Sequence, residues 1–148
     1  MSKVGGGSGN WLDLILLLNR LALGWYFLMA GIAKIQGGVA VFYRDNFLVH
    51  KPQWVPDWLG SLYGYTLPYL EVLVGATLAL GLGRRWPAGL ISVMLLSFII
   101  AFSDTATFSG KPGTFHNDIV FFALALLLTT LGSGAFSLDV LLHRSGSK

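Results

Sequence analysis

The chain has 148 residues, of which 54% are hydrophobic and 11% are charged, and its formal net charge is +3. Soluble domains carry about 25% charged residues, so this composition indicates an integral membrane protein. A charge of +3 spread over short loops argues against a nucleic-acid-binding surface. Because the chain has no cysteine, thiol–disulfide chemistry and thiolate metal sites are excluded.

Four apolar segments have about the length that a membrane-spanning helix needs. They predict helices at residues 11–35, 63–82, 86–103 and 116–133. The first is too long for the apolar core of a signal peptide and is expected to be retained. Two of the three connections are short, which indicates antiparallel neighbours. The sequence therefore predicts an all-α, four-helix transmembrane bundle with up-down topology.

Three further segments complete the predicted organisation. A Gly/Ser-rich tail at residues 1–10 and a C-terminal tail at 143–148 flank one membrane domain at residues 11–142. The connection at residues 36–62 is aromatic, and Pro52 and Pro56 are expected to break any long helix there. Trp54 and Trp58 favour the headgroup region of the bilayer, so this connection is predicted to lie along the membrane surface in contact with lipids. The alternative is a lid over a site.

The distribution of basic residues gives a small bias for orientation. Lys and Arg flanking the predicted spans divide into Lys3, Arg84, Arg85, Arg144 and Lys148 on one side and Lys34, Arg44, Lys51 and Lys111 on the other. The paired arginines in the short second turn are the strongest single signal. We therefore expect both termini in the cytoplasm of a bacterial inner membrane.

Ionised side chains inside apolar segments are the strongest indication of a specific interior. Arg20 and Glu71 lie near the middle of the first and second predicted helices. A charged residue at the centre of a membrane helix costs at least roughly 2.5–3.5 kcal/mol, so such residues usually face the bundle interior and have a partner. We predict an intramembrane pair between Arg20 and Glu71.

The same helical faces carry small residues and lead to a second polar group. Gly24 and Gly31 share the face of Arg20, and Gly75 with Ala79 gives the small-xxx-small spacing that allows close helix packing. A wetter, outer polar cluster is predicted near the membrane surface opposite the termini. Its members are Lys34, Asp104, His116, Asn117 and Asp118.

Four runs together resemble the DoxX family of small four-helix membrane proteins. They are Arg20 to Lys34, Pro68 to Gly75, the Leu80-Gly81-Leu82 exit into Arg84-Arg85, and Leu131 to Asp139. The resemblance covers roughly residues 14–141 and implies a membrane subunit associated with redox chemistry. The aromatic first connection and His116-Asn117-Asp118 at the fourth helix depart from common members.

Three classes of function remain open. The first is a non-catalytic accessory or anchor subunit of a larger membrane redox or bioenergetic complex, in contact with other subunits or with further copies of itself. The second is a quinone-interacting subunit of an oxidoreductase, with Arg20 and Glu71 or His116 and Asp118 as polar groups at the ring. The third is a small transporter or channel component. No catalytic residue, metal site or resident cofactor is predicted, because no zinc, calcium or phosphate-loop spacing is present and no two histidines are placed for haem.

Overall fold

The computed structural model describes residues 8–83, 85–101, 117–132, 134 and 136–138. In chain order the helices are α1 (Ser8–Gln36), α2 (Val39–Phe42), a π-helical turn (Tyr43–Phe47), α3 (Leu48–His50), α4 (Asp57–Leu80), α5 (Trp86–Ala101) and α6 (Asn117–Leu131). No strand occurs in these ranges. The predicted all-α class is therefore confirmed for this part of the chain. The predicted tail at 143–148 lies outside it.

The four long helices form a closed arrangement of neighbours. Helix α1 packs against α4 and α6, and α5 packs against the same two helices. Gly24 of α1 lies against Gly75 and Ala79 of α4, whereas Gly31 lies against Pro68 and Val72. As residue numbers rise along α1 they fall along α4, so these two helices are antiparallel.

The first connection differs from the prediction. Residues 39–50 are helical, and α4 begins at Asp57 rather than at residue 63. Pro56 has an extended conformation and directly precedes α4. A proline at this position interferes with a helix before it but not with a helix that begins after it. Trp58 and residues 59–62 therefore belong to the first turns of α4, and the non-helical parts of the connection are residues 37–38 and 51–56.

The second turn begins with a left-handed residue at the end of α4. Gly81 has a φ of 72°, and its N–H donates to the carbonyl of Leu78. The N–H of Leu82 donates to the carbonyl of Thr77, so two terminal carbonyls of α4 are satisfied. A Cβ at Gly81 would lie 2.6 Å from Nη1 of Arg20. Both the positive φ and this close contact therefore favour glycine at this position.

The surface of this fold is rich in large apolar side chains, and two charged side chains lie in its otherwise largely apolar core. Large apolar side chains such as Leu18, Trp25 and Val93 are 59%, 63% and 65% exposed. Arg20 and Glu71, in contrast, are 2% and 1% exposed and lie among the buried core residues. Surfaces of this kind mark contact with lipid or with other proteins.

The helices differ in whether they are long and apolar enough to span a membrane. Among the described residues, the Trp11–Gln36 part of α1 combines the length and the hydropathy of a membrane span. The segments Trp86–Ala101 and Asp118–Leu131 are apolar but shorter.

Candidate functional site

A buried ion pair joins α1 to α4. Nζ of Lys34 donates to both carboxylate oxygens of Glu71, at 2.5 and 2.6 Å. The lysine side chain is 25% exposed and the glutamate side chain 2%. Nζ also lies 5.2 Å from the ring centroid of Phe42. The charge of Glu71 is thus compensated at the end of α1, and the aromatic ring covers the cation.

Arg20 does not pair with Glu71 as predicted. Its Nη2 donates to the carbonyl oxygen of Phe136 at 2.7 Å, and its guanidinium lies beside Gly81 at the end of α4. Antiparallel packing places the start of α1 beside the end of α4, so Arg20 and Glu71 lie at different depths. Glu71 is ten residues before Gly81, a rise of about 15 Å along a helix. Arg20 therefore holds the C-terminal segment, and Lys34 takes the predicted role in the pair.

Small residues set the distance between the two helices that carry the pair. An added Cβ at Gly24 would lie 2.7 Å from the backbone nitrogen of Ala79, and one at Gly31 would lie 2.6 Å from the carbonyl oxygen of Pro68. These contacts are between backbones, which cannot rotate away as a side chain could. The glycines therefore allow the close approach at which Lys34 reaches Glu71.

The ion pair lies in the wall of a large apolar cavity. The cavity has a volume of about 670 Å³ and is formed by the second half of α1, residues 59–71 of α4, the end of α5, the start of α6 and residues 42–55. Among the described residues, its charged lining consists of Lys34, Lys51, Glu71 and Asp118. Ligand pockets in proteins typically have about 300–1,000 Å³ with a few polar groups in an apolar wall, so this cavity is a candidate ligand site.

A second polar group in the cavity is the hydroxyl of Tyr63. The hydroxyl of Ser97 donates to the carbonyl oxygen of Met94 at 2.6 Å. The Tyr63 hydroxyl, 2.7 Å from Oγ of Ser97, is therefore the donor in that contact. Its oxygen keeps the capacity to accept a hydrogen bond from the cavity side.

Residues 39–56 form a lid that closes one side of the cavity. Tyr43 stacks on Tyr65 with ring centroids 4.4 Å apart, and its hydroxyl lies 2.8 Å from Oγ of Ser61. Phe47 lies against Gly64, where a Cβ would come within 2.8 Å of its ring. These contacts hold the lid on the first turns of α4.

The charged residues of the lid point away from the cavity or are bound at its edge. Nζ of Lys51 donates to the carbonyl oxygen of Val55 at 2.6 Å and to Asp57 at 3.0 Å. On the outer face, Nε of Arg44 donates to Asp45 at 2.6 Å, and this hydrogen bond lowers the pKa of the Asp45 carboxyl. The lid thus has a charged outer surface, and its inner surface is mainly apolar and aromatic with Asn46, His50 and Lys51 among the lining residues.

The predicted outer polar cluster is brought together in part. Lys34 and Asp118 both line the cavity. Asp104 and His116 lie outside the described residues, and so does the side chain of Asn117, although its backbone begins α6. Both members of the predicted interfacial pair are exposed, Trp54 at 74% and Trp58 at 70%. Trp54 also lines the cavity, and Trp58 lies on the first turn of α4.

Sequence reasoning missed the pairing of Lys34 and the role of Tyr63. The periodicity of α1 places Lys34 on the same face as Arg20, Gly24 and Gly31, so the sequence predicts the correct face. It does not predict which residue of α4 lies opposite each of them. Among the described residues, no group of three or more His, Asp or Glu side chains is arranged to hold a metal ion.

Comparison with known proteins corrects the family. The family model described as methylamine utilisation protein MauE matches residues 12–112. MauE is a family of membrane proteins and is distinct from DoxX, so the resemblance to DoxX led to a wrong assignment. The runs that carried it contain the glycines and the glutamate of the α1–α4 contact, which are features of close helix packing in general. No curated protein and no solved structure is significantly similar to the chain.

The matched residues contain α1, the lid, α4 and α5, and thus Lys34, Glu71 and most of the cavity wall. They also make up more than half of the chain. The protein therefore belongs to the MauE family of methylamine utilisation proteins.

Proposed function

We propose that this chain is a four-helix integral protein of the bacterial inner membrane that serves as a non-catalytic accessory or anchor subunit of a redox assembly for methylamine utilisation. The observation that carries the proposal is the apolar outer surface around a core that holds two charged residues. Buried Arg20 and Glu71 contrast with large apolar side chains exposed along α1, α4, α5 and α6. A bilayer is the solvent in which that arrangement is favourable.

The family supports the remainder of the proposal. MauE is named for methylamine utilisation, and an accessory membrane role agrees with a chain that has no cysteine. The basic residues favour cytoplasmic termini, which would place the lid and the cavity at the outer membrane surface.

The absence of cysteine makes a direct test of membrane placement possible. Val93→Cys introduces a thiol on the exposed face of α5, and Asp57→Cys is the matched variant at the lid side, where the native side chain is 96% exposed. A membrane-impermeant maleimide should label Asp57→Cys in intact spheroplasts and should label Val93→Cys only after denaturation. Equal labelling of both variants in intact cells would refute a lipid-facing α5.

The accessory role has its own test. The tagged chain, expressed at its natural level and extracted gently from its own membrane, should purify in a stoichiometric complex with other proteins. Its deletion should abolish growth on methylamine and leave growth on an organic acid unchanged. A chain that purifies alone, together with a deletion that leaves growth on methylamine intact, would contradict the proposal.

The cavity favours a second candidate, a quinone-interacting subunit of an oxidoreductase. Lys34 offers a donor to a quinone carbonyl, and the Tyr63 oxygen can accept a hydrogen bond from the hydroxyl of the reduced quinol, in a largely apolar, aromatic space of about 670 Å³. Solvent extraction of the purified complex should then release a quinone in stoichiometric amount, and Lys34→Met should reduce that amount. A complex that contains no quinone and is fully active would exclude this candidate.

A further inference from the structure

The walls of the cavity suit a flat molecule. Its aromatic lining residues come from α1, the lid, α4 and α5, and they include Tyr26, Phe27, Phe42, Phe47, Tyr63 and Phe98. Aromatic rings interact with one another in offset or edge-to-face geometry, which adds to the effect of apolar burial. The Phe47 and Tyr63 rings already meet edge to face, with centroids 5.9 Å apart. A ring-bearing ligand would find similar contacts.

Both lysines of the described lining are compensated. The described lining carries two cations, Lys34 and Lys51, and two carboxylates, Glu71 and Asp118. Glu71 uses both carboxylate oxygens on Lys34, and Lys51 is bound to Val55 and Asp57. An anion entering this space would lose its hydration without meeting an uncompensated cation among the described lining residues, so the cavity disfavours anionic ligands.

Lys34 is the donor best placed to bind a neutral ligand. An ammonium group has three N–H bonds, and the two oxygens of Glu71 accept two of them. Phe42 covers one side of Nζ, and the cavity is on another. A carbonyl oxygen in the cavity can therefore accept a charge-assisted hydrogen bond from Lys34.

We propose that the cavity under the lid binds a neutral, ring-bearing, membrane-soluble molecule whose carbonyl oxygen accepts a hydrogen bond from Lys34, and that Glu71 excludes anionic amphiphiles by compensating the lysine charge. The inference rests on the proposed membrane placement, because ligand from the bilayer would enter beside the lid. It does not depend on a redox role for the ligand.

Three probes that share a ten-carbon chain separate the contributions. Decanophenone has an aromatic ring, a carbonyl and an alkyl chain. Decylbenzene has the ring and chain without an acceptor, and decanoate has the chain with an anionic head. Binding is measured as the excess of each probe in nanodiscs with the full chain over protein-free nanodiscs of the same lipid, by equilibrium dialysis and gas chromatography. The wild type should bind decanophenone at least roughly tenfold more tightly than decylbenzene, because the carbonyl bonds to a charged donor, and should not bind decanoate measurably.

Removal of the compensating charge should change the selectivity. Glu71→Gln leaves the lysine charge uncompensated in the cavity wall, so decanoate affinity should rise at least roughly tenfold. Asp45→Asn is the charge-matched control, since Asp45 is bound to Arg44 on the outer face of the lid and does not line the cavity. It should leave all three affinities unchanged.

A double variant provides a test that does not leave one buried charge without a partner. Lys34→Met with Glu71→Gln removes both charges at nearly constant volume, and replacement of a whole buried pair is often tolerated. It should retain decylbenzene binding, lose the preference for decanophenone and gain no decanoate binding. Equal wild-type affinity for decanophenone and decylbenzene, no gain of decanoate binding in Glu71→Gln, or binding of no probe would each overturn the proposal. Labelling of Val93→Cys decides the membrane placement separately, without any ligand.

Discussion

A single methyl group at Gly75 should separate the two helices that carry the ion pair. In Gly75→Ala the new Cβ would meet the backbone nitrogen of Leu28 most closely, and it would lie 2.7 Å from the carbonyl oxygen of Gly24 and 2.9 Å from Cα of Leu28. Ordinary contact begins at 3.4 Å, so the contact with Gly24 alone requires α1 and α4 to move apart by about 0.7 Å, the difference between 3.4 and 2.7 Å, and the contact with Leu28 requires more. All three clashing atoms belong to the backbone of α1, so a side-chain rotation cannot relieve the strain.

The expected magnitude follows from two opposing effects. Overpacking of a tight interface costs about 1–3 kcal/mol, and contact with rigid backbone on the opposite helix puts Gly75→Ala near the upper end. Alanine in place of a helical glycine recovers about 0.5–1 kcal/mol. We therefore expect a net loss of about 2 kcal/mol in the free energy of unfolding, together with a longer distance between Lys34 and Glu71.

Gly89→Ala is the matched control for this prediction. Gly89 is also helical, but an added Cβ there would meet only Cγ2 of Thr129, at 3.9 Å. The control should be as stable as the wild type or up to about 1 kcal/mol more stable. Unfolding of the three proteins is followed by circular dichroism against increasing SDS in mixed micelles. If Gly75→Ala unfolds at the wild-type SDS fraction or above it, the close backbone approach inferred here is incorrect.

Three other variants test separate contacts. Lys34→Met leaves the Glu71 charge without compensation and should lower the free energy of unfolding by about 3–5 kcal/mol in the same SDS titration. The double variant with Glu71→Gln should restore most of that loss. Equal stability of the single and double variants would contradict the ion pair. Tyr43→Phe removes one hydroxyl contact between lid and α4, worth about 0.5–1.5 kcal/mol, and should accelerate hydrogen exchange in residues 39–50 without changing the exchange of α5. Arg20→Met removes the donor to the Phe136 carbonyl and should expose the C-terminal segment to protease, and a cleavage rate equal to that of the wild type would argue against this anchor.

Several elements could be predicted because their signal is local. The α1, α5 and α6 segments follow from apolar runs, and the glycines at the α1–α4 contact follow from small residues recurring on one helical face. The start of α4 was placed too late because Pro56 and Trp58 were assigned to an interfacial loop. A proline directly before the first helical residue does not prevent a helix from starting there, and α4 also continues through Pro68.

The partners of the buried charges could not be predicted in the same way. Periodicity assigns a residue to a face but not to a depth relative to another helix. Arg20 and Lys34 are separated by a rise of about 21 Å along α1, so the register of the two helices decides which of them reaches Glu71. Arg20 and Lys34 share a face of α1, and the register of α1 against α4 brings Lys34 to Glu71.

The sequence by itself determined that the chain is helical, that its interior holds charges, and which faces of α1 and α4 meet. These properties depend on composition and on the period of one helix, both of which are present in the linear chain. The tertiary structure alone decided that Lys34 compensates Glu71, that Arg20 anchors the C-terminal segment, and that residues 39–56 cover a cavity. Each of these depends on the relative position of helices remote in sequence, which is set by how closely their backbones can pack.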